Sequence, residues 1–277
     1  MFCAPLRLLF AALIVSSGLA TAQVEDAWKD LVMQGLYSAG ENDNVKAEQQ
    51  LLNALKEAEH FGANDVRVGT TLNSLGLVYR AGKKLGEADD AFRRALAILE
   101  NTYGPDSIDV GNINFNLASV LMDEGKHDQA LSFLRNSQKV FERQLGGDSL
   151  KTAAVLCMTG DAYRLQKSYR EAEAPLKRCS QIREAASGLV NPELGDAMNS
   201  LAIVYQQQGK YALADPAFKL AEKIREKTQG IMSPALAESL EYHAVMPKQM
   251  GRDQDAEKNS KLAAAIRRNT TKDPKAK

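Results

Sequence analysis

Histidine and cysteine are the residue types most able to bind a metal or act as a nucleophile, and this chain has few of them. His60, His127 and His243 lie far apart, and no two of them have the spacing of metal ligands. No histidine is obviously placed to activate Cys157 or Cys179. Glycine-rich phosphate loops and the G-x-S-x-G elbow are absent. We therefore expect no metal, no cofactor and no enzymatic activity, and an enzyme with an unrecognised site is the weakest alternative.

The composition is that of an ordinary soluble protein. Of its 277 residues, 44% are apolar and 25% are charged, which is enough to bury a sizeable core. The formal net charge is zero and aromatic residues make up only 6%. A nucleic-acid partner would favour a basic surface or a platform of stacked aromatic rings. The composition therefore gives no support for nucleic-acid binding.

The first 22 residues differ from the rest and have the pattern of a secretory signal peptide. Arg7 supplies a short positive segment, residues 8–19 form an uncharged apolar run, and Ala20 to Ala22 match a cleavage signal before Gln23. The run is too short to cross a bilayer as a helix, although an uncleaved N-terminal anchor is the alternative. We expect export to the periplasm or the extracellular space, with cleavage near Ala22–Gln23 and no stable membrane insertion afterwards.

Small residues recur through the chain at a fixed step of 42 residues. One series consists of Gly76, Ala118, Gly160, Ala202 and Ala244. A second series consists of Ala88, Ala130, Ala172, Ala214 and Ala256. A glycine series consists of Gly104, Gly146, Gly188 and Gly230. A sequence that repeats at one period indicates an array of equal structural units.

The residues between these small positions have helical spacing. Apolar residues from Val68 to Tyr79, and again from Leu85 to Leu99, fall on one face of a helix, with a short break at residues 81–84. The links between units, such as Gly104 to Ser107, combine a helix stop with an N-cap. Each unit is therefore predicted to be two antiparallel helices joined by a tight turn. One such unit cannot bury its apolar face alone, so neighbouring units must stack.

These patterns resemble the tetratricopeptide repeat. Residues 72–79 are similar to the signature of its first helix, and Ala88, Phe92, Ala95 and Leu96 are similar to that of its second. The 42-residue spacing resembles the kinesin light chain subtype. The resemblance implies an all-α, right-handed α-solenoid of about six helix–turn–helix repeats.

The resulting division of the chain has three parts. They are a signal peptide over residues 1–22, a repeat array over residues 23–268, and a disordered basic tail over residues 269–277. The predicted repeats cover residues 24–65, 66–107, 108–149, 150–191, 192–233 and 234–268. The first of them is one residue out of register with the others.

The resemblance also implies that partners bind in a concave groove lined by the first helix of each repeat. The positions carried over from the family are Thr70, Asn73, Leu77, Arg80, Asn112, Phe115, Ser119, Met122, Asp161, Arg164, Asp196, Asn199, Ile203, Gln206, Glu238, Glu241 and Lys248. Asn73 and Asn199 lie where family members hydrogen-bond a peptide backbone. Acidic residues cluster towards the C-terminal half, which suggests a basic partner segment there. The alternative is that these positions are only solvated helix surface.

Cys157 and Cys179 are predicted to lie on the two helices of one repeat. Antiparallel helices could bring them together as a disulfide in an exported protein, or they could remain free as small apolar side chains. The leading hypothesis is an exported scaffold or adaptor that binds a protein or peptide partner. The second is a self-associating structural component of an envelope assembly.

Overall fold

The computed structural model describes residues 23–188, 190–249 and 253–272, without the side chains of residues 247–249 and 271–272. Within these ranges the regular structure is entirely helical, and residues 23–40 belong to helix α1. The helices that follow are α2 (Asn44–Glu59), α3 (Val66–Ala81), α4 (Leu85–Tyr103), α5 (Ile108–Asp123), α6 (His127–Leu145), α7 (Leu150–Leu165), α8 (Tyr169–Ser187), α9 (Pro192–Gln207), α10 (Tyr211–Gln229), α11 (Pro234–Gln249) and α12 (Asp253–Lys272). The prediction of an all-α fold built from helical repeats is confirmed. The predicted signal peptide lies outside the described residues.

The chain divides into two compact units, Met1–Gly125 and Lys126–Lys277. In the first unit, α3 packs on α4 as a hairpin, with α2 and α5 on either side. In the second unit, the hairpins are α7 with α8, α9 with α10, and α11 with α12, and α6 packs against α7. Successive first helices also touch each other, as α3 does with α5 and α7 with α9.

Helix lengths account for the repeat period. From α3 to α10, helices of 16 and 19 residues alternate, with three residues between the helices of a repeat and four residues between repeats. Helix α2 has only 16 residues, and six residues separate it from α3. It is therefore three residues shorter than its counterparts and its link is two residues longer. These two differences produce the one-residue shift in register that the sequence shows for the first repeat.

The links between repeats start the next helix with a side-chain cap. The Ser107 hydroxyl accepts from the backbone N–H of Val110, Ser149 from that of Thr152, and Asn191 from those of Glu193 and Leu194. Such caps satisfy N–H groups that have no partner within the helix. By contrast, α4, α6, α8 and α10 have no side-chain cap hydrogen bond, and the turns before them contain backbone hydrogen bonds such as the one from the N–H of Lys84 to the carbonyl of Tyr79.

Small residues allow the two helices of a repeat to approach closely. A Cβ added at Gly76 in α3 would lie 2.6 Å from Cε1 of Phe92 in α4, and Phe92 is fully buried. At Gly160 in α7, an added Cβ would overlap Leu176 of α8 in the same way. The core of each hairpin is therefore packed around these positions.

The C-terminal end differs from the prediction of a disordered tail from residue 269. Helix α12 continues to Lys272, and within it Thr270 donates a hydrogen bond to the carbonyl of Arg267 at 3.0 Å. The segment is polar, but a helix continues until a residue breaks it, and Pro274 is the first such residue in the sequence. Residues 273–277 of the predicted tail lie outside the described residues.

Candidate partner-binding surface

Several of the predicted groove positions on α3 and α5 of the first unit are open or partly open. Leu77 on α3 is 43% exposed, although it is a large apolar residue. Asn112, Phe115 and Met122 on α5 are half-buried. Phe115 and Met122 are seven residues apart and so lie on one face of their helix. Together these positions form a mixed apolar and polar surface, which we call the α3–α5 face.

Polar side chains tie the two helices of this face together. Asn116 donates an amide hydrogen bond to Oδ1 of Asn73 at 3.0 Å. Nε of Arg80 lies 2.7 Å from Oδ2 of Asp123. The predicted peptide-binding oxygen of Asn73 therefore already accepts from the neighbouring helix. The α3–α5 face is preorganised, which lowers the entropic cost of binding a partner.

Four other predicted groove positions are buried, and this corrects the sequence-based assignment. Three of them lie on α9 and are covered by α11. Asn199 accepts a hydrogen bond from Ser239 at 2.8 Å, Gln206 donates one to the carbonyl of Tyr242 at 3.0 Å, and Ile203 belongs to the same core cluster as Met246. The fourth, Ser119 on α5, donates to the carbonyl of Phe115 in its own helix. These side chains support the fold and are not exposed to a partner.

The acidic positions of the C-terminal half are also engaged, by arginines of the same chain. Arg225 on α10 is only 4% exposed, and its guanidinium lies 2.9 Å from Oδ1 of Asp196 and 3.8 Å from Oε2 of Glu238. Arg267 on α12 forms two hydrogen bonds with the carboxylate of Glu241, and this contact lowers the pKa of Glu241. The carboxylates at which a basic partner segment is expected are therefore already paired within the chain, although their side chains remain about half exposed.

The remaining predicted positions are placed as follows. Asp161 on α7 accepts from Arg164 at 3.0 Å and from Ser200 of α9 at 2.8 Å, so it links two first helices. Thr70 is exposed, and its hydroxyl donates to the carbonyl of Val66. The side chain of Lys248 lies outside the described residues.

Cys157 and Cys179 form a disulfide between α7 and α8. Their Cα atoms are 5.4 Å apart, within the usual range for a bridged pair. Of the two alternatives that the sequence left open, the structure has the disulfide and not the two free side chains. Cys157 is half-buried at the hairpin interface, against the same cluster of Ala153, Leu156 and Ile182 that encloses Cys179.

A buried charged cluster around His243 was not found from the sequence. His243 on α11 is 4% exposed and stacks on Phe218 with ring centroids 5.0 Å apart. Its Nδ1 lies 2.7 Å from Glu222 and its Nε2 lies 3.3 Å from Asp215, both on α10. Burial lowers the pKa of His243, but the hydrogen bonds and charges of Glu222 and Asp215 outweigh it and the pKa is raised. The sequence separations of 21 and 28 residues carry no recognisable motif.

Metal-binding and membrane-spanning features were searched for over the described ranges. No group of three or more His, Cys, Asp or Glu side chains in them could hold a metal ion. In the same part of the chain, no helix combines the length and apolar character needed to cross a bilayer.

Within each of the two units, the stacked hairpins have the arrangement of a helical-repeat protein. Models of the tetratricopeptide repeat match residues 109–185 in one form and residues 68–109 and 194–230 in another. Together these matches cover more than half of the chain, so the chain belongs to the tetratricopeptide repeat family. The family is typically non-catalytic and mediates contacts between proteins, and no enzyme family is indicated.

Curated relatives share the repeats but are much longer proteins. A TPR repeat-containing protein of Dictyostelium discoideum is 26% identical over 152 residues, which is 54% of this chain and 9% of that protein. A clustered mitochondria protein homolog of Aspergillus niger is 23% identical over 147 residues, covering 51% of this chain and 12% of that protein. The chain thus spans about a tenth of the length of these relatives.

Several solved structures have a similar fold. BtubC (BKLC) from P. vanneervenii has a TM-score of 0.68 at 20% identity, over 81% of this chain and 91% of that one. A putative kinesin light chain from Podosopora anserina has a TM-score of 0.62 at 18% identity, over 73% of this chain and 95% of that one. A Rap protein in complex with competence and sporulation factor has a TM-score of 0.60 at 19% identity, over 89% of this chain and 76% of that one. At these identities the similarity shows the fold alone, and it confirms the tetratricopeptide class with kinesin-light-chain-like neighbours.

Proposed function

We propose that this protein is an exported scaffold that binds a segment of a partner protein on the α3–α5 face. The observation that carries the proposal is the partial exposure of Leu77, Phe115 and Met122 beside polar side chains that are already held in place. Exposed apolar side chains within a polar surround are typical of protein interaction sites.

The contrast with α9 supports this choice of surface. The corresponding positions of α9 are filled by contacts from α11, whereas Leu77 on α3 remains open although α5 packs beside it. The Rap protein structure provides a fold-level precedent, because it is a complex with competence and sporulation factor. By analogy, a short peptide or helix of a partner is the expected ligand.

Site-specific photo-crosslinking in the native host tests this proposal. A photoreactive phenylalanine analogue is placed at Leu77 or Met122, with a control at Ala97, an exposed position on α4 of the same unit. We expect a discrete covalent adduct from Leu77 and Met122 and none from Ala97. A further Leu77→Glu substitution should abolish the Met122 adduct, whereas Ala97→Glu should leave it. Equal labelling at Ala97, or no adduct at Leu77 and Met122, would refute the α3–α5 face as the binding site.

Export is the second part of the proposal. It is supported by the signal-peptide pattern of residues 1–22 and by the Cys157–Cys179 disulfide, because disulfides persist in oxidising compartments and are rare in the cytosol. We expect intact-mass spectrometry of the periplasmic or secreted fraction to give a chain that starts at Gln23 with no free thiol. A full-length chain with reduced cysteines in the cytosol would be incompatible with export.

Self-association is a second candidate function, and a specific surface favours it. Met33 and Tyr37 on α1 are 65% and 71% exposed, and Val45 on α2 is 82% exposed. With the one-residue shift, Tyr37 corresponds to Val78 of α3, which is buried against Ala47 and Leu51 of α2. Light scattering across a concentration series should show an oligomer that Tyr37→Glu disrupts. Substituting Tyr103, a tyrosine that is 52% exposed on α4, with glutamate is the matched control. A monomer at all concentrations would exclude this candidate.

A further inference from the structure

A second apolar surface lies in the last two hairpins, on helices that do not belong to the α3–α5 face. A pocket of about 310 Å³ opens there between α10, α11 and α12. Its lining residues are Glu222, Glu226, Ile231, Met232, Leu236, Leu240 and Leu262. Three of them are unusually exposed for their type: Ile231 is 58% exposed, Met232 48% and Leu262 46%. The volume is within the range of pockets that bind a small ligand or one large side chain.

The repeats of this chain show that the turn itself does not require apolar residues here. Met232 lies two residues after Gly230 in the link before α11, and the equivalent positions are Asp106 and Asp148 in two earlier links and Val190 in the third. The links that contain Asp106, Asp148 and Met232 have the same conformation, since Gly104, Gly146 and Gly230 have φ values of 82°, 89° and 87°. Each link also closes with a similar backbone hydrogen bond, from the N–H of Ser107, Ser149 or Ser233 to the carbonyl of the glycine three residues earlier. The turn therefore does not require an apolar side chain at position 232.

The charges at the rim of the pocket are negative. Among the described residues that line it, the ionisable ones are Glu222 and Glu226. Glu222 accepts a hydrogen bond from His243, whereas Glu226 is exposed and has no ion-pair partner within the described residues. An unbalanced carboxylate beside an apolar pocket favours a cation next to an apolar group. It also disfavours the anionic surface of a membrane.

We propose that this pocket docks a partner peptide through one aliphatic side chain, with a neighbouring lysine or arginine placed against Glu226. The site is separate from the α3–α5 face, and its existence does not depend on that proposal. Ile231, Met232 and Leu262 surround the aliphatic side chain, and the Glu226 carboxylate accepts hydrogen bonds from the cation. Binding therefore weakens with salt as well as with loss of the apolar surface.

Peptide display provides the probe. A library of random peptides is selected on the protein and counter-selected on a Met232→Asp variant, which has the residue that the same turn carries at Asp106 and Asp148. We expect the enriched peptides to combine an aliphatic residue with an adjacent lysine or arginine. Fluorescence anisotropy of one such peptide should show an affinity loss of roughly tenfold in Met232→Asp, the size expected from removing one buried aliphatic contact.

Two further variants make the result specific. Val190→Asp introduces the same change at the equivalent position of the preceding link, where Val190 is 65% exposed and does not line the pocket, so it should bind like the unmodified protein. Glu226→Gln should weaken binding and reduce its salt dependence. The proposal is overturned by any of three results: enrichment without an aliphatic–basic pattern, unchanged affinity in Met232→Asp, or an equal loss in Val190→Asp. Binding of phosphatidylglycerol-containing vesicles that depends on Met232 would replace it with a membrane contact.

Discussion

At the scale of single residues, position within the repeat decides what a side chain does more than its chemical type. Lys83 and Lys167 adopt positive φ values of 60° and 62° in hairpin turns, where two other repeats have Gly125 and Gly209 and the first repeat has Asn42. The adjacent Gly82 has an ordinary φ of −77°. The two flanking helices fix which residue must reverse the chain, so lysine occupies a conformation that costs about 1–2 kcal/mol for a residue with a side chain.

Gly76 and Gly86 give opposite expectations for the same substitution. Gly76→Ala should destabilise the first unit by about 1–3 kcal/mol, because the new Cβ meets the fully buried ring of Phe92. Gly86→Ala meets nothing within 4 Å and removes conformational freedom from the unfolded chain, so it should stabilise by roughly 0.5 kcal/mol. Urea unfolding followed by circular dichroism measures both. A stabilising Gly76→Ala would mean that α3 and α4 are not closely packed there.

The His243 cluster makes stability depend on pH. The pKa of His243 is raised above its unfolded value, so its stabilising effect is complete below the unfolded pKa of 6.5 and is lost as pH rises through the folded pKa. The decrease in the free energy of unfolding caused by His243→Gln should therefore be larger at about pH 5.5 than at about pH 8.5. Urea unfolding of both proteins at the two pH values measures this decrease. When Glu222→Gln is present in both proteins, the decrease should differ less between the two pH values. A cost that is larger at the higher pH would contradict the sign of the shift.

At the scale of helices and hairpins, each pair is held by packing, and one pair also has a covalent link. The disulfide joins α7 to α8 through Cys157 and Cys179, which are 22 residues apart in sequence. Closing a loop of this size in the unfolded chain is worth about 3 kcal/mol in the chain-entropy model. The α7–α8 hairpin should therefore resist local opening more than its packing alone would allow.

Reduction of the disulfide tests that expectation. Hydrogen exchange of backbone amides in α7 and α8 should accelerate in the presence of a reductant. The acceleration should correspond to a decrease of up to about 3 kcal/mol in the free energy of opening this hairpin. The Cys157→Ala/Cys179→Ala variant should exchange as fast as the reduced protein and should not respond to reductant. If exchange in this hairpin is unchanged by reduction, the link contributes nothing to its stability.

At the scale of the whole molecule, the tertiary contacts are mostly local in sequence. Within each unit, helices touch the helices next to them in the chain, and the additional contacts are between successive first helices such as α9 and α11. In such an array, stability is approximately the sum of the repeats and their nearest-neighbour interfaces. Damage to one end should therefore remain near that end.

A truncation after Gln229 removes α11 and α12 and tests this locality. We expect the α7–α8 hairpin to keep its hydrogen-exchange protection, because its own contacts and disulfide remain. Protection should fall in α9 and α10, where Asn199, Gln206 and Arg225 lose their partners on α11. Loss of protection throughout α7 and α8 would show that the second unit unfolds as one cooperative body.

The sequence alone determined the helices, the repeat period and the family, because these follow from local signals. Apolar residues at helical spacing, small residues at a fixed step and capping residues such as Ser107 and Ser149 act within one hairpin or between neighbours. The all-α repeat fold could therefore be predicted, and even the register shift of the first repeat was visible. Residues 269–272 are an exception. Their polar sequence predicts a disordered tail, whereas the structure has them in helix α12.

Only the tertiary structure decided which candidate site residues are open. Helical periodicity places Asn73, Leu77, Asn199 and Ile203 on equivalent faces, yet α11 buries the last two while Leu77 stays exposed. That difference depends on the side chains of the next repeat, which lie about 40 residues away in sequence, so no local pattern contains it. The carboxylates around His243 were hidden for the same reason, and the tertiary structure also decided between the disulfide and the two free cysteines that the sequence left open.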